Sequence, residues 1–117
     1  MSSLERWCWP PRLPRDWWGP RGWNWVHCLT QEYPETPSRA VRQLTLLRLW
    51  NFVVNLPCAE CRWHASLHMI QNPPVLDSAH AFQIWAWLFH NTVNIRLGKP
   101  FFKYAEYTAR YPLHRPK

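Results

Sequence analysis

Apolar positions in this chain recur every three or four residues, and proline and glycine cut the rhythm into five segments. Trp23, Val26, His27 and Thr30 share a helical face within residues 21–33, and Pro34 ends that run. Thr36 before Pro37 reads as an N-cap with proline at the first helical position. From there Val41, Leu44, Leu47, Leu49, Phe52 and Val53 carry a second helix to about residue 56. A third is predicted from Cys58 to about Gln71, where Asn72-Pro73-Pro74 stops it. Asp77 or Ser78 caps a fourth, which runs through Ala81, Phe82, Trp85, Phe89, Val93 and Leu97 to a stop at Gly98. A short fifth covers residues 103–110 and ends before Pro112. No stretch alternates with period two, so the predicted class is all-α, a four-helix bundle with a short fifth helix. Residues 1–18 mix prolines, basic residues and Trp7, Trp9, Trp17 and Trp18 without periodicity, and read as an irregular Pro/Trp-rich N-terminal arm before a helical domain over 19–117.

At 117 residues the chain has room for one core. Only three glycines are present and no G-x-G-x-x-G or P-loop occurs, so a bound cofactor must be held by side chains and helix ends. The longest apolar run, 81–89 with Gln83 inside it, is short of the roughly 20 residues that span a bilayer. No apolar leader region is visible, so an intracellular, cytoplasmic protein is expected. In a reducing compartment, four cysteines favour a catalytic or metal-binding pair over a disulfide framework. The formal charge of +7 admits nucleic acid, a membrane surface or an acidic partner.

Cys58-Ala59-Glu60-Cys61 after Pro57 places two sulfurs at the start of a helix, where unpaired N–H groups and the helix dipole favour a thiolate. A redox dithiol is the expected reading. Its rival is zinc on Cys58, Cys61, His64 and His68. On one helix, at about 1.5 Å per residue, those four spread over roughly 15 Å, and one ion cannot collect them at about 2.0 to 2.3 Å. No metal is therefore expected. His64 follows Cys61 by three residues and could tune the sulfur or contact a cofactor, or be a half-buried histidine.

On the fourth helix, at about 100° per residue, Phe82, Trp85, Ala86, Phe89 and Val93 form a core face and Trp87, His90, Asn91 and Asn94 the stripe beside it. Buried polar groups need partners. A planar heteroaromatic ligand would satisfy this stripe, with amides and imidazole reading ring edges and tryptophan covering a face. Hydrogen bonds inside the bundle are the alternative. Arg96, Lys99, Lys103 and Arg110 follow, where a diphosphate would need countercharge or where a solvated basic face would lie.

Trp23-x-x-x-His27 with Tyr33-Pro34, Leu56-Pro57-Cys58-Ala59-Glu60-Cys61 with Arg62-Trp63-His64-Ala65, and Phe82-x-x-Trp85 leading to His90-Asn91-Thr92-Val93-Asn94-Ile95-Arg96-Leu97-Gly98-Lys99-Pro100 follow in order. Together they resemble the FAD-linked sulfhydryl oxidases of the Erv/ALR family, especially its short viral members, over residues 19–111. The resemblance implies one FAD in the bundle, usually a homodimer, and the host cytoplasm or virion if the source is viral. It implies Cys58 as the sulfur facing the thiol substrate and Cys61 as the sulfur against the flavin. It also implies cofactor contacts at Gly19, Arg21, Trp23, His27, Gln31, Cys61, His64, Trp87, His90, Asn91, Asn94, Lys99, Arg110 and Tyr111.

Cellular members carry a further structural disulfide and often a shuttle pair, whereas the other sulfurs here are Cys8 and Cys28 alone. A separate thioredoxin-like relay is therefore expected to deliver electrons, and oxygen to take them as hydrogen peroxide. The competing functions are a basic, Trp-rich nucleic-acid-binding module, with bases stacked on the aromatics, and a flavin-free dithiol reductase. The first leaves the dithiol and the His90-Asn91-Asn94 stripe idle. The second lacks a βαβ pattern around its cysteines.

Overall fold

The computed structural model describes residues 14–112, in which five helices follow one another: α1 (Arg15–Glu32), α2 (Arg39–Val54), α3 (Ala59–Gln71), α4 (Ala79–Arg96) and α5 (Tyr104–Arg110). No strand occurs among the described residues. α1 lies along α4 and α2 along α3. Serine caps open two of the four long helices. Ser38 Oγ accepts the Val41 N–H at 3.1 Å and Ser78 Oγ the Ala81 N–H at 3.0 Å, each satisfying a donor the first helical turn leaves unpaired. α4 closes in a Schellman motif, with Gly98 N–H on the Ile95 carbonyl at 3.2 Å and Lys99 N–H on the Asn94 carbonyl at 2.8 Å. The motif needs a left-handed residue, and Gly98 takes it at φ 68°.

Two boundaries and one face differ from the sequence reading. α1 begins at Arg15 rather than residue 21, so residues 15–18, expected in the arm, are helical. The extended Pro14 offers its carbonyl to the N–H groups of Trp17 at 2.9 Å and Trp18 at 3.1 Å, and the core stripe runs Trp18, Gly22, Val26, Leu29. Pro20 removes one helical hydrogen bond, and that proline masked the periodicity. α2 is capped by Ser38, not Thr36, and Pro37 lies before the helix. Leu44 and Leu47 do not face the core: they are 56% and 66% exposed, on an outward stripe with Val54. Residues 1–13 of the expected arm, with Cys8, lie outside the described residues.

Val26, Leu49, Val53, Met69, Phe82 and Ala86 are sealed in the centre, with Trp85 and Phe89 beside them. Trp85 also donates its indole N–H to the Asn72 carbonyl at 2.9 Å, tying α4 to the end of α3. The segment after Gly98 is held by side chains of α4. Asn91 Nδ2 donates to the Phe102 carbonyl at 3.0 Å, Asn91 Oδ1 accepts the Phe102 N–H at 2.7 Å, and Trp87 Nε1 donates to the same carbonyl at 2.7 Å. Gln83, buried on α4, donates to the Tyr111 carbonyl at 2.8 Å, and Tyr107 donates to the Gln83 carbonyl at 3.0 Å. These bonds dock α5 against α4 and so place Arg110 and Tyr111.

Trp85→Ala removes a buried indole that does not itself line the cleft described below, and is expected to cost about 3 to 5 kcal/mol whether or not a ligand is present. Urea denaturation measures it. A loss under about 1 kcal/mol would mean that α4 is not anchored there.

Candidate functional site

A cleft of about 260 Å³ opens between α1, α2, α3 and α4, with the end of α5 along one side. Its wall sorts by chemistry. Trp18, Trp23, Phe52, Phe89 and Tyr111 supply aromatic surface, Arg15, Arg96, Lys99 and Arg110 supply positive charge, and among the described residues no Asp or Glu lines it. At Gly22 an added Cβ would stand 3.1 Å from Phe52 Cζ, so a side chain there would crowd the wall.

One turn of α3 separates the two sulfurs of the dithiol. Cys58 is the N-cap of the helix and is half-buried, and its Sγ accepts the Cys61 N–H at 3.2 Å. Cys61 is 5% exposed and lines the cleft, which Cys58 does not. Both are unbridged thiols in this structure. Burial acts upward on the Cys58 thiol, but hydrogen bonds from the Cys61 thiol and from the Cys61 and Glu60 backbone outweigh it, with help from Arg15, and hold it below the ordinary thiol value. Burial pushes the Cys61 thiol up, the Cys58 sulfur adds to this, and Arg15 and Arg96 act against it. In the reduced pair the first negative charge therefore belongs on Cys58.

Of the residues expected on sequence grounds, the cleft brings together Gly19, Trp23, Cys61, His90, Asn94, Lys99, Arg110 and Tyr111. It does not include Arg21, His27, Gln31, His64, Trp87 or Asn91. Each of these has a partner elsewhere. Arg21 lies over the Trp17 ring at 4.0 Å and donates to the Trp17 carbonyl, and Gln31 donates to the Pro112 carbonyl at 3.0 Å. His64 Nε2 is 3.7 Å from Glu60 Oε1, and Trp87 and Asn91 hold Phe102. Fully buried His27 bonds His90, its Nε2 2.8 Å from His90 Nδ1. Sequence reading missed Arg15 and Trp18 because the prolines around them hid the start of α1; Gly22 and the spacing to Val26 were the available signal.

His90 stacks on Trp23, with ring centroids 4.1 Å apart and planes 6° from parallel. Burial, and then the charges of Arg110 and Lys99, push the His90 imidazole down to about 4. Burial, then His90 and Arg110, bring His27 down to about 3. Both rings are neutral near pH 7.

The sequence pattern of the Erv1 / Alr family matches residues 20–112 of the chain. The chain is 35% identical over 94 residues to an FAD-linked sulfhydryl oxidase of African swine fever virus (isolate Tick/Malawi/Lil 20-1/1983), covering 80% of this chain and 79% of that protein. It is 33% identical over 95 residues to the mitochondrial FAD-linked sulfhydryl oxidase erv1 of Schizosaccharomyces pombe, covering 79% of this chain and 52% of that one. In three dimensions it is similar to the FAD binding domain of Erv1 from Saccharomyces cerevisiae. The TM-score is 0.81 at 24% identity, with 86% of this chain and 95% of that one covered.

Neutral histidines buried in the folded state make the protein sensitive to acid. The folded values of about 3 and about 4 lie below the ordinary 6.5, so the unfolded chain binds more protons in between. Stability is complete above about pH 6.5 and is lost as pH falls toward the folded values. The melting temperature at constant FAD is expected to drop between about pH 7 and about pH 5, and to drop less in His27→Leu. An equal drop in the two proteins would mean that His27 is not held neutral.

Proposed function

The chain belongs to the Erv1/Alr family and is an FAD-dependent thiol oxidase, and we propose that Cys58 meets the thiol substrate while Cys61 faces the cofactor. The observation that carries this division is the burial of Cys61 on the wall of a cleft from which Cys58 is turned away. The wall suits FAD by its donor set, with aromatic planes for the ring systems and, among the described residues, four cations for a diphosphate and no opposing carboxylate. Trp23, His90, Asn94 and Tyr111 would hold rings, and Arg15, Arg96, Lys99 and Arg110 the phosphates.

In the oxidised enzyme a substrate thiolate attacks Cys58 Sγ, the Cys58–Cys61 bond breaks and Cys61 leaves as the thiolate. With Cys58 in a mixed disulfide its charge no longer opposes Cys61, and Arg15 and Arg96 remain to stabilise the Cys61 anion. A second substrate thiolate attacks the substrate sulfur and expels Cys58, whose lowered pKa makes it the better leaving group. The substrate leaves as a disulfide, with two electrons now in the Cys58/Cys61 dithiol. When bound, FAD supplies the two-electron acceptor that reoxidises the dithiol and passes the electrons on.

We read oxygen as the final acceptor, reduced to hydrogen peroxide, and a thioredoxin-like protein as the relay that brings substrate electrons to Cys58. The outward stripe of Leu44, Leu47 and Val54 on α2 supports a homodimer, since monomers rarely leave such a row in water. No helix among the described residues is long and apolar enough to cross a membrane. The family's members include viral and mitochondrial proteins, and the host cytoplasm or virion is the compartment proposed here, on the likeness to the viral one.

The purified protein should be yellow and should oxidise dithiothreitol with uptake of oxygen, and Cys58→Ser and Cys61→Ser should each lose at least about 100-fold in turnover. Cys58→Ser leaves Cys61 as a lone sulfur at the cleft wall and is expected to show a broad long-wavelength absorption that Cys61→Ser lacks. A band that needs Cys58 rather than Cys61 would reverse the assignment. On the dimer, Leu47→Glu should halve the mass in sedimentation, and an unchanged mass would place the interface elsewhere.

A further inference from the structure

Residues His27 and His90 stand 63 positions apart in sequence and share one hydrogen bond, between His27 Nε2 and His90 Nδ1 at 2.8 Å. Only His90 lines the cleft. A neutral imidazole carries one N–H and one lone pair, so the bond can be written in two ways. Either His27 donates from Nε2 and His90 keeps its own proton on Nε2, or His90 donates from Nδ1 and offers a lone pair at Nε2.

The surroundings of His27 separate the two. Its ring is completely buried, and its Nδ1 is sealed from solvent with no hydrogen-bond partner among the described residues. Aromatic rings enclose it, Tyr111 at 4.6 Å, Tyr107 at 5.0 Å and Trp23 at 5.8 Å between centroids. The hydroxyls of those tyrosines are engaged elsewhere, Tyr107 with the Gln83 carbonyl and Tyr111 with Asn24 Oδ1. If His90 were the donor, His27 Nδ1 would carry an N–H sealed away without an acceptor. If His27 is the donor, only a lone pair is left over. Buried unpaired N–H groups are rarer in folded proteins than under-satisfied acceptors, so the first arrangement is favoured.

We propose that His27 is a positioning residue that, by donating to His90 Nδ1, holds His90 as the tautomer with its proton on Nε2 and so turns a hydrogen-bond donor toward the bound cofactor. This rests on the reading of the cleft as the FAD site. His90 Nε2 has no partner among the described residues and is not one of the sealed atoms, as a group waiting on a ligand should be. A donor at that point also matches the rest of the wall, which among the described residues offers cations and the Asn94 amide and no carboxylate. His27, which does not line the cleft, thus acts through His90.

The test uses the full chain, labelled with nitrogen-15 and carrying FAD, with two histidine variants. Long-range nitrogen–proton spectra of the wild type should show His90 protonated on Nε2 and not on Nδ1. His27→Gln can place an amide N–H where the imidazole N–H stood, and should keep that tautomer and bind FAD within about threefold of wild type. His27→Phe fills the space without a donor, and should lose the tautomer preference and bind FAD about tenfold more weakly, the worth of one hydrogen bond. Wild-type His90 protonated on Nδ1 overturns the proposal even if both variants misfold. Equal loss of FAD in folded Gln and Phe variants also overturns it. In either case FAD bound by the wild type leaves the cofactor reading standing, whereas a wild type that takes up no FAD ends both.

Discussion

The chemistry of the site depends on a single helical turn. Cys58 caps α3 and accepts the Cys61 N–H, while Cys61, three residues on, is carried round into the cleft. A helix N-terminus does two things for such a pair. It offers unpaired N–H groups to the first sulfur, and it fixes by its pitch where the second will point. Burial raises one thiol and hydrogen bonding lowers the other, so two chemically identical residues become a half-buried sulfur held below the ordinary thiol value and a buried one held above it on the cleft wall. Arg15 from α1 and Arg96 from α4 complete the arrangement by opposing the cost of a charge on Cys61.

The rest of the fold serves to bring a second wall up to that sulfur. α5 has only seven residues, too few to form a stable helix on its own. Polar bonds and the buried Tyr107 ring hold it: Asn91 and Trp87 grip Phe102, and Gln83 bonds Tyr111 and Tyr107 so that the helix is fastened to α4. Arg110 and Tyr111 reach the cleft because those bonds are made, and Lys99 reaches it because Gly98 can turn the chain in a left-handed conformation. Positive charge is thereby collected from three separate parts of the chain around one aromatic groove.

How far the sequence told this in advance varied with the range of the interaction. Starts and stops of α3, α4 and α5 rest on local chemistry, on Pro57, Ser78, Gly98 and Pro112, and were legible one residue at a time. The beginning of α1 was not, because Pro20 and its neighbours imitate an irregular segment while Trp18 and Gly22 already follow the core stripe. On α2 the leucines at 44 and 47 satisfied the apolar rhythm and yet point outward, a choice that one helix cannot declare. At the site, periodicity drew Trp87, His90, Asn91 and Asn94 into one stripe. Dividing it required knowing that Phe102 would return beside α4 and leave only His90 and Asn94 for the cleft. The His27–His90 bond is of the same kind, invisible to any local window.

The claim that Cys61 is the sulfur through which the cleft receives electrons is tested most directly by reductive titration without oxygen. With FAD bound, a stoichiometric addition of dithiothreitol should bleach the flavin absorption of the wild type within the time of mixing. Cys61→Ser, with Cys58 intact, should stay yellow through the same addition. Bleaching of Cys61→Ser as fast as the wild type would contradict the account, since electrons would then reach the cofactor without the only sulfur that lines its cleft among the described residues.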